Sequence, residues 1–186
     1  MLPQAFWPDC PPDHCVTCVA TIRTTTTTSC WTGDTDGGIV RWVFADAHSL
    51  VSPSALLCAH TAPIALLAPC DDAVLSACID SALCVWVGET GVARKRGRLP
   101  VDLGRPGVAV AIPNRKGCVA LSCGPKTQKS LSMCVSSVLL VLDTSTLTVL
   151  QRVGEQTRAY PPLLASFSGR TVGVPTRAGR PVEICR

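Results

Sequence analysis

The chain has 186 residues, 47% of them apolar, enough to bury the core of one ordinary domain and too rich in apolar groups for a disordered chain. Twelve cysteines fall below the roughly 8–10% that marks a disulfide scaffold, so free thiols in a reducing compartment are the expectation. The net charge of +4 hides a split: residues 1–93 carry two basic groups (Arg23, Arg41) against nine acidic, and residues 94–186 carry fifteen against four, which points to an oriented surface that attracts acidic partners.

In chain order, residues 1–13 form a Pro-rich lead-in without the basic, apolar and small-residue pattern of a signal peptide. Cys15–Ile22 is a β-branched strand, and the threonines at 24–28 are a loop. Ser29–Gly33 and Gly38–Phe44 flank the Asp36-Gly37-Gly38 turn and predict a hairpin. Residues 45–55 connect to a short strand at Ala55–Cys58. Strands follow at 64–68, 73–78 and 82–87, with the Asp71-Asp72 pair marking a turn and a weak fourth strand starting at Val92. The basic cluster Arg94, Lys95, Arg96 and Arg98 then leads into a Pro/Gly-rich connection. Val108–Ile112, Cys118–Cys123, Val135–Asp143 and Leu147–Val153 read as four more strands, with 124–134 as an inserted loop. No long 3.6-residue periodicity predicts a helix, and the apolar stretches at 49–70 and 135–150 are too broken for a membrane span.

Two of these units repeat each other. Trp42 follows Asp36 by six residues, Trp86 follows Asp80 by six, and each pair lies 44 residues from its counterpart. Thr32 and Ser76 each stand four residues before the Asp, while His14 and His60 stand 22 and 20 before it. A repeat of about 40–45 residues with this content is the signature of propeller blades. The expected fold is all-β: a partial propeller of about three to four blades of four-stranded antiparallel sheets, open or incomplete. Its divisions fall near 14–58, 59–98 and 105–153, with a further unit starting at about 160 and running to 186. Closed propellers need 4–8 blades, so the sequence reads as the N-terminal piece of a longer protein or a truncated gene model.

Within each unit the four polar residues form a structural set: His14, Thr32, Asp36, Trp42 and His60, Ser76, Asp80, Trp86. Asp80 is expected to accept from His60, His60 to meet Ser76, and Ser76 to meet the Trp86 indole, because a buried carboxylate is costly unless it is bonded. Ser76 with His60 and Asp80 also has hydrolase-triad composition, but no G-x-S-x-G elbow surrounds it. No catalytic residue, metal or cofactor is expected. Cys15 and Cys18, with Cys10 and His14 nearby, lack the second pair that a zinc site needs. The basic cluster Arg94, Lys95, Arg96, Arg98 is either a partner-binding patch, for protein or anionic lipid, or a solvated loop; with no interleaved aromatics it does not suit nucleic acid.

The units resemble WD repeats. In order, Val16–Ala20, Trp31–Trp42, Leu57–Ala65, Leu75–Trp86, Arg94–Pro100 and Leu139–Val149 are similar to the amino-terminal propeller of the rabconnectin beta-subunit family, particularly its plant members, over about residues 14–153 with gaps. The resemblance implies a cytosolic scaffold with propellers and helical repeats that helps assemble and regulate the vacuolar-type proton pump on endosomal, vacuolar or vesicle membranes. Its partners would be pump subunits and a large scaffold partner, and its association with membranes peripheral. The chain departs from the pattern at Ala59, Ser81 and Val87, and the third unit lacks both the turn Asp and the Trp, with Leu142-Asp143 in place of a Trp-Asp pair. The alternatives are a WD-repeat adaptor of another kind (a ubiquitin-ligase substrate receptor or a trafficking scaffold) and a cytosolic Cys-dependent or zinc protein.

Overall fold

The computed structural model describes residues 15–44, 52–58, 60–100, 102–112, 115–124, 136–157, 165–167 and 171–173. Every regular element among them is a strand. β1 (Val16–Arg23), β2 (Thr28–Asp34), β3 (Gly38–Phe44) and β4 (Ser52–Cys58) form one antiparallel sheet in chain order. β5 (Ile64–Cys70), β6 (Ala73–Cys78), β7 (Ala82–Val87) and β8 (Ala93–Arg98) form the second. β9 (Pro106–Ala111), β10 (Cys118–Cys123), β11 (Ser136–Asp143) and β12 (Thr148–Thr157) form the third, and β13 (Ala165–Phe167) pairs with β14 (Thr171–Gly173). Each sheet is a meander, the arrangement that short turns between neighbouring strands produce. β5 contacts both β1 and β9, so the first strand of each sheet lies innermost and the fourth lies on the rim.

The sheets stack face to face, and the second is sandwiched between the others. In β6 and β7, Leu75, Leu83 and Val85 pack with Val119, Leu121, Leu140 and Leu142 of the third sheet. The alternate positions Val74, Cys84 and Trp86 pack with Ile22, Trp31 and Ile39 of the first. Both faces are covered, so β6 is buried at every residue, and the sequence there is a continuous apolar run instead of an alternation. Trp31 and Trp86 meet across the first junction with ring centroids 6.5 Å apart and planes tilted by 47°. Offset, tilted aromatic pairs of this kind contribute about 0.5–1.5 kcal/mol beyond the area they bury.

Close backbone approach and a buried cation fix the same junction. A Cβ on Gly33 would stand 2.7 Å from the Ile64 side chain, so only glycine lets β2 lie this near β5. Thr17 donates its hydroxyl to the Ile64 carbonyl at 2.7 Å. Arg41, 6% exposed, reaches out of β3 to donate to the carbonyls of Gly88 and Glu89 in the turn after β7. Burial lowers the affinity of this guanidinium for its proton, and Glu89 opposes the shift. Replacing it with an apolar side chain strands those carbonyls. Arg41→Met is therefore expected to lower the unfolding free energy by about 2 kcal/mol, read from urea denaturation followed by far-ultraviolet circular dichroism.

Several strand bounds differ from the sequence expectation: β5 runs on to Cys70, β9 starts at Pro106 and β12 continues to Thr157. β4 begins at Ser52 instead of Ala55, and Pro53 lies opposite Trp42 at a register shift in β3. An edge strand tolerates proline there because no further strand needs its missing N–H. Thr28 opens β2, leaving Thr24–Thr27 as the turn, closed by Thr24 N–H to Thr27 O at 2.8 Å. The weak fourth strand expected to start at Val92 is β8, Ala93–Arg98, and it takes in the whole basic cluster, which rules out the solvated-loop reading of those residues. Glycine at 97 helps seat the strand, since a Cβ there would press on Leu147 of the third sheet at 3.0 Å. The inserted loop expected at 124–134 lies outside the described residues apart from Gly124, as do His14 and Cys10.

Candidate functional site

The polar network of the second sheet starts from where its strands place three side chains. Ser76 in β6 is directly opposite Cys84 in β7, two residue pairs from Trp86, and all three project toward the first sheet. The Trp86 indole N–H donates to the Ser76 hydroxyl at 2.8 Å. His60 Nε2 lies 2.8 Å from the same oxygen, and the Cys84 carbonyl accepts from it at 3.3 Å. Ser76 is fully buried, so its hydroxyl is inaccessible to a substrate and its single proton is committed to His60 or to Cys84.

The expected bond from Asp80 to His60 is absent, which corrects that part of the set. The Asp80 carboxylate turns back on its own turn. It accepts the Cys78 thiol and the Ala82 N–H, and it pairs with Arg98 at 3.8 Å. The thiol bond is the first cause of the low proton affinity of this carboxyl. His60 Nδ1 is buried with no hydrogen-bond partner. The reason is local: Ser81 takes a positive φ of 72° that carries the chain round the turn, and the carboxylate at position 80 bonds the amide two residues on.

In the first sheet the Trp42 indole donates to Thr32 at 2.9 Å, matching Trp86 and Ser76. Asp36, however, is exposed and contributes only its backbone N–H. The carboxylate that organises the turn belongs to Asp34, 6% exposed, which accepts from the amides of Asp36 at 2.9 Å and Gly38 at 2.6 Å. A turn of this length is closed by the acid at its entry, because only that side chain can reach the amides two and four positions on. Cys78 occupies the equivalent place in the second sheet, which explains why its thiol bonds Asp80. Another pairing that sequence reasoning did not foresee is Trp31 with Ser29, both fully buried, at 3.0 Å. In the third sheet Leu142 fills the core, and Asp143 closes the next turn by accepting from the Ser145 and Thr146 amides.

Burial pushes the His60 imidazole below the usual histidine range; Asp80 opposes the shift and Arg96 adds to it. The unfolded chain binds the proton near pH 6.5 and the folded chain only at lower pH. The stability tied to neutral His60 is therefore fully present above that range and is lost as pH falls through it. Urea midpoints measured at pH 7.5 and 5.5 are expected to drop more for the wild type than for His60→Gln, which cannot titrate.

Among the described residues no group of three or more His, Cys, Asp or Glu side chains is placed to hold a metal. Cys15 is exposed and Cys18 half-buried, and neither forms a disulfide. Burial raises the thiols of Cys70 and Cys84 to about 11 and that of Cys123 to about 12, which keeps them protonated and poorly nucleophilic. A cleft of about 360 Å³ lies where the first two sheets meet, lined by Arg23, Thr24, Asp71, Asp72, Val87 and Glu89. Its acids are already engaged: Asp71 accepts the Gly117 amide of the third sheet at 2.6 Å, Asp72 pairs with Arg94 at 3.3 Å, and Glu89 accepts from Thr26 at 2.7 Å.

The four cations of the basic cluster are carried by β8 on the rim. Arg96 lies opposite Cys84 and Arg98 opposite Ala82, on the face toward the first sheet, while Lys95 lies opposite Val85, whose face meets the third. Arg94 sits at the register shift and reaches back to Asp72.

No family model matches this sequence, and no curated protein does either. Solved structures do match. The designed protein Ika4 is 18% identical with a TM-score of 0.55, covering 91% of this chain and 90% of its own. BBS1N, solved in complex with ARL6DN, is 12% identical with a TM-score of 0.61, covering 90% of this chain and 49% of its own. The RRP9 WD40 repeats are 10% identical with a TM-score of 0.55, covering 80% of this chain and 41% of their own. The chain thus spans about half the length of the last two. At these identities the likeness speaks to architecture, and with three stacked four-stranded meanders already in place the fold is that of part of a β-propeller.

Proposed function

We propose that this chain is a non-enzymatic interaction scaffold, the WD-repeat module of a regulator of vacuolar-type proton pump assembly. The observation that carries the scaffold reading is that both faces of the second sheet are consumed by stacking and its polar network is sealed inside. Turns, rim strands, sheet edges and the outer faces of the first and third sheets are what remains for contact. The pump assignment rests on the ordered resemblance to the rabconnectin beta-subunit family. On that reading the protein is cytoplasmic, peripheral on endosomal, vacuolar or vesicle membranes, divided into units near 14–58, 59–98 and 105–153, and free of nucleic acid. Affinity purification of the protein from cells is expected to recover vacuolar-type pump subunits; their consistent absence overturns the assignment. A second reading, a WD-repeat adaptor of another kind, is favoured by the solved association of BBS1N with ARL6DN, in which a protein of similar fold holds a protein partner. Recovery of ubiquitin-ligase or trafficking components without pump subunits would select it.

A further inference from the structure

We infer that β8 is a docking edge for an extended acidic peptide, which adds as a fifth strand to the second sheet. The inference deepens the scaffold reading and rests on it, because it names the class of partner and the mode of contact. β8 is the terminal strand of its sheet among the described residues, hydrogen-bonded to β7 on one side. Its other side presents a row of backbone donors and acceptors, the template that strand addition uses. Arg94, Lys95, Arg96 and Arg98 are all exposed, so the strand is open to a partner along its length.

The register distributes charge in the pattern an added strand would read. Arg96 and Arg98 flank the edge on the face toward the first sheet, and Lys95 flanks it on the face toward the third. An extended segment places successive side chains on opposite faces. Acidic residues on both faces of the incoming strand therefore each find a cation. Two of the four already sit beside carboxylates, Arg94 with Asp72 and Arg98 with Asp80. These pairs are solvent-facing, with Arg94 44% and Arg98 71% exposed, and pairs of that kind hold weakly enough for a peptide carboxylate to replace them. The same charges repel a second copy of β8, so the edge is closed to self-pairing and open to a strand of opposite sign. A membrane surface would use the charges and leave the backbone row idle, and this separates the two in a test.

The probe is a fluorescein-labelled heptapeptide, Val-Glu-Glu-Val-Glu-Glu-Val, which carries Glu on both faces when extended, titrated with the 186-residue chain at low salt and followed by anisotropy. Saturable binding is expected, weakening as salt is raised. Methylating alternate backbone nitrogens of the peptide keeps its charge and removes its strand donors; binding is expected to weaken at least ~10-fold. Lys95→Glu with Arg96→Glu is expected to weaken it at least ~10-fold as well, with an unchanged thermal midpoint because both side chains are exposed. Lys95→Gln with Arg96→Gln gives an intermediate loss and covers the case in which reversal disturbs folding. Equal binding of the methylated peptide, no binding of the parent, or capture of phosphatidylserine vesicles without the peptide overturns the inference. A chain that fails here yet still recovers partners from cells loses the rim-strand mode and keeps its scaffold role. Peptide binding without cellular partners does the reverse.

Discussion

Trp86→Ala is expected to lower the unfolding free energy by roughly 3–5 kcal/mol, the range for truncating a buried aromatic. The ring is 3% exposed and fills the junction of the first two sheets beside Trp31, while its N–H is bonded to the buried Ser76. Truncation opens a cavity that the stacked sheets cannot collapse, because close contacts such as the Gly33 backbone against the Ile64 side chain already hold them at closest approach. Trp86→Phe separates packing from hydrogen bonding. It keeps most of the ring volume and removes one donor, and Ser76 retains His60 and the Cys84 carbonyl, so a loss of about 1 kcal/mol is expected. Urea denaturation of both variants by circular dichroism is the check. Equal losses for Phe and Ala would mean that the polar chain, not the packing, holds this junction.

Gly37→Ala is the second large effect, with an expected loss of at least ~3 kcal/mol from two separate causes. Gly37 has φ of +85°, where a side chain is strained, and a Cβ there would lie 2.3 Å from the His60 carbonyl oxygen, which is backbone and cannot swing away. Gly91→Ala isolates the first cause. Its φ is +74°, yet its nearest neighbour is the Arg41 Cδ at an ordinary 3.5 Å, so only the backbone penalty of about 1–2 kcal/mol applies. The difference between the two variants in the same denaturation experiment measures the contact of the Asp34–Gly38 turn with the segment carrying His60. Equal losses would show that this contact is soft.

These two sites show what the sequence could and could not reveal. The pairs Thr32 with Trp42 and Ser76 with Trp86 were readable because each spans a hairpin whose turn length fixes which residues share a face. The choice of turn acid was not. Asp34 and Asp36 are both plausible by type, and the 44-residue match to Asp80 points to Asp36, whereas the geometry of the turn selects the acid at its entry. The orientation of Asp80 was hidden for a similar reason, since the competing donor, the Cys78 thiol, reads in sequence as a core residue. Arg41 illustrates a different blind spot. In Ile39-Val40-Arg41-Trp42 the neighbours on both faces are apolar, and no alternation says that the guanidinium is buried against carbonyls 47 and 48 residues away. The basic run at 94–98 lacks the apolar residues that mark a strand; its strand form comes from β7, which needs a partner on its outer side.

The account depends on the second sheet lying face to face on the first with its polar chain sealed between them. Nuclear Overhauser contacts between the indoles of Trp31 and Trp86 in the intact chain test this most directly. The structure predicts cross-peaks between the two rings, together with a Trp86 indole proton that exchanges slowly with water. Absent cross-peaks with a rapidly exchanging indole proton would contradict the stacked-blade arrangement.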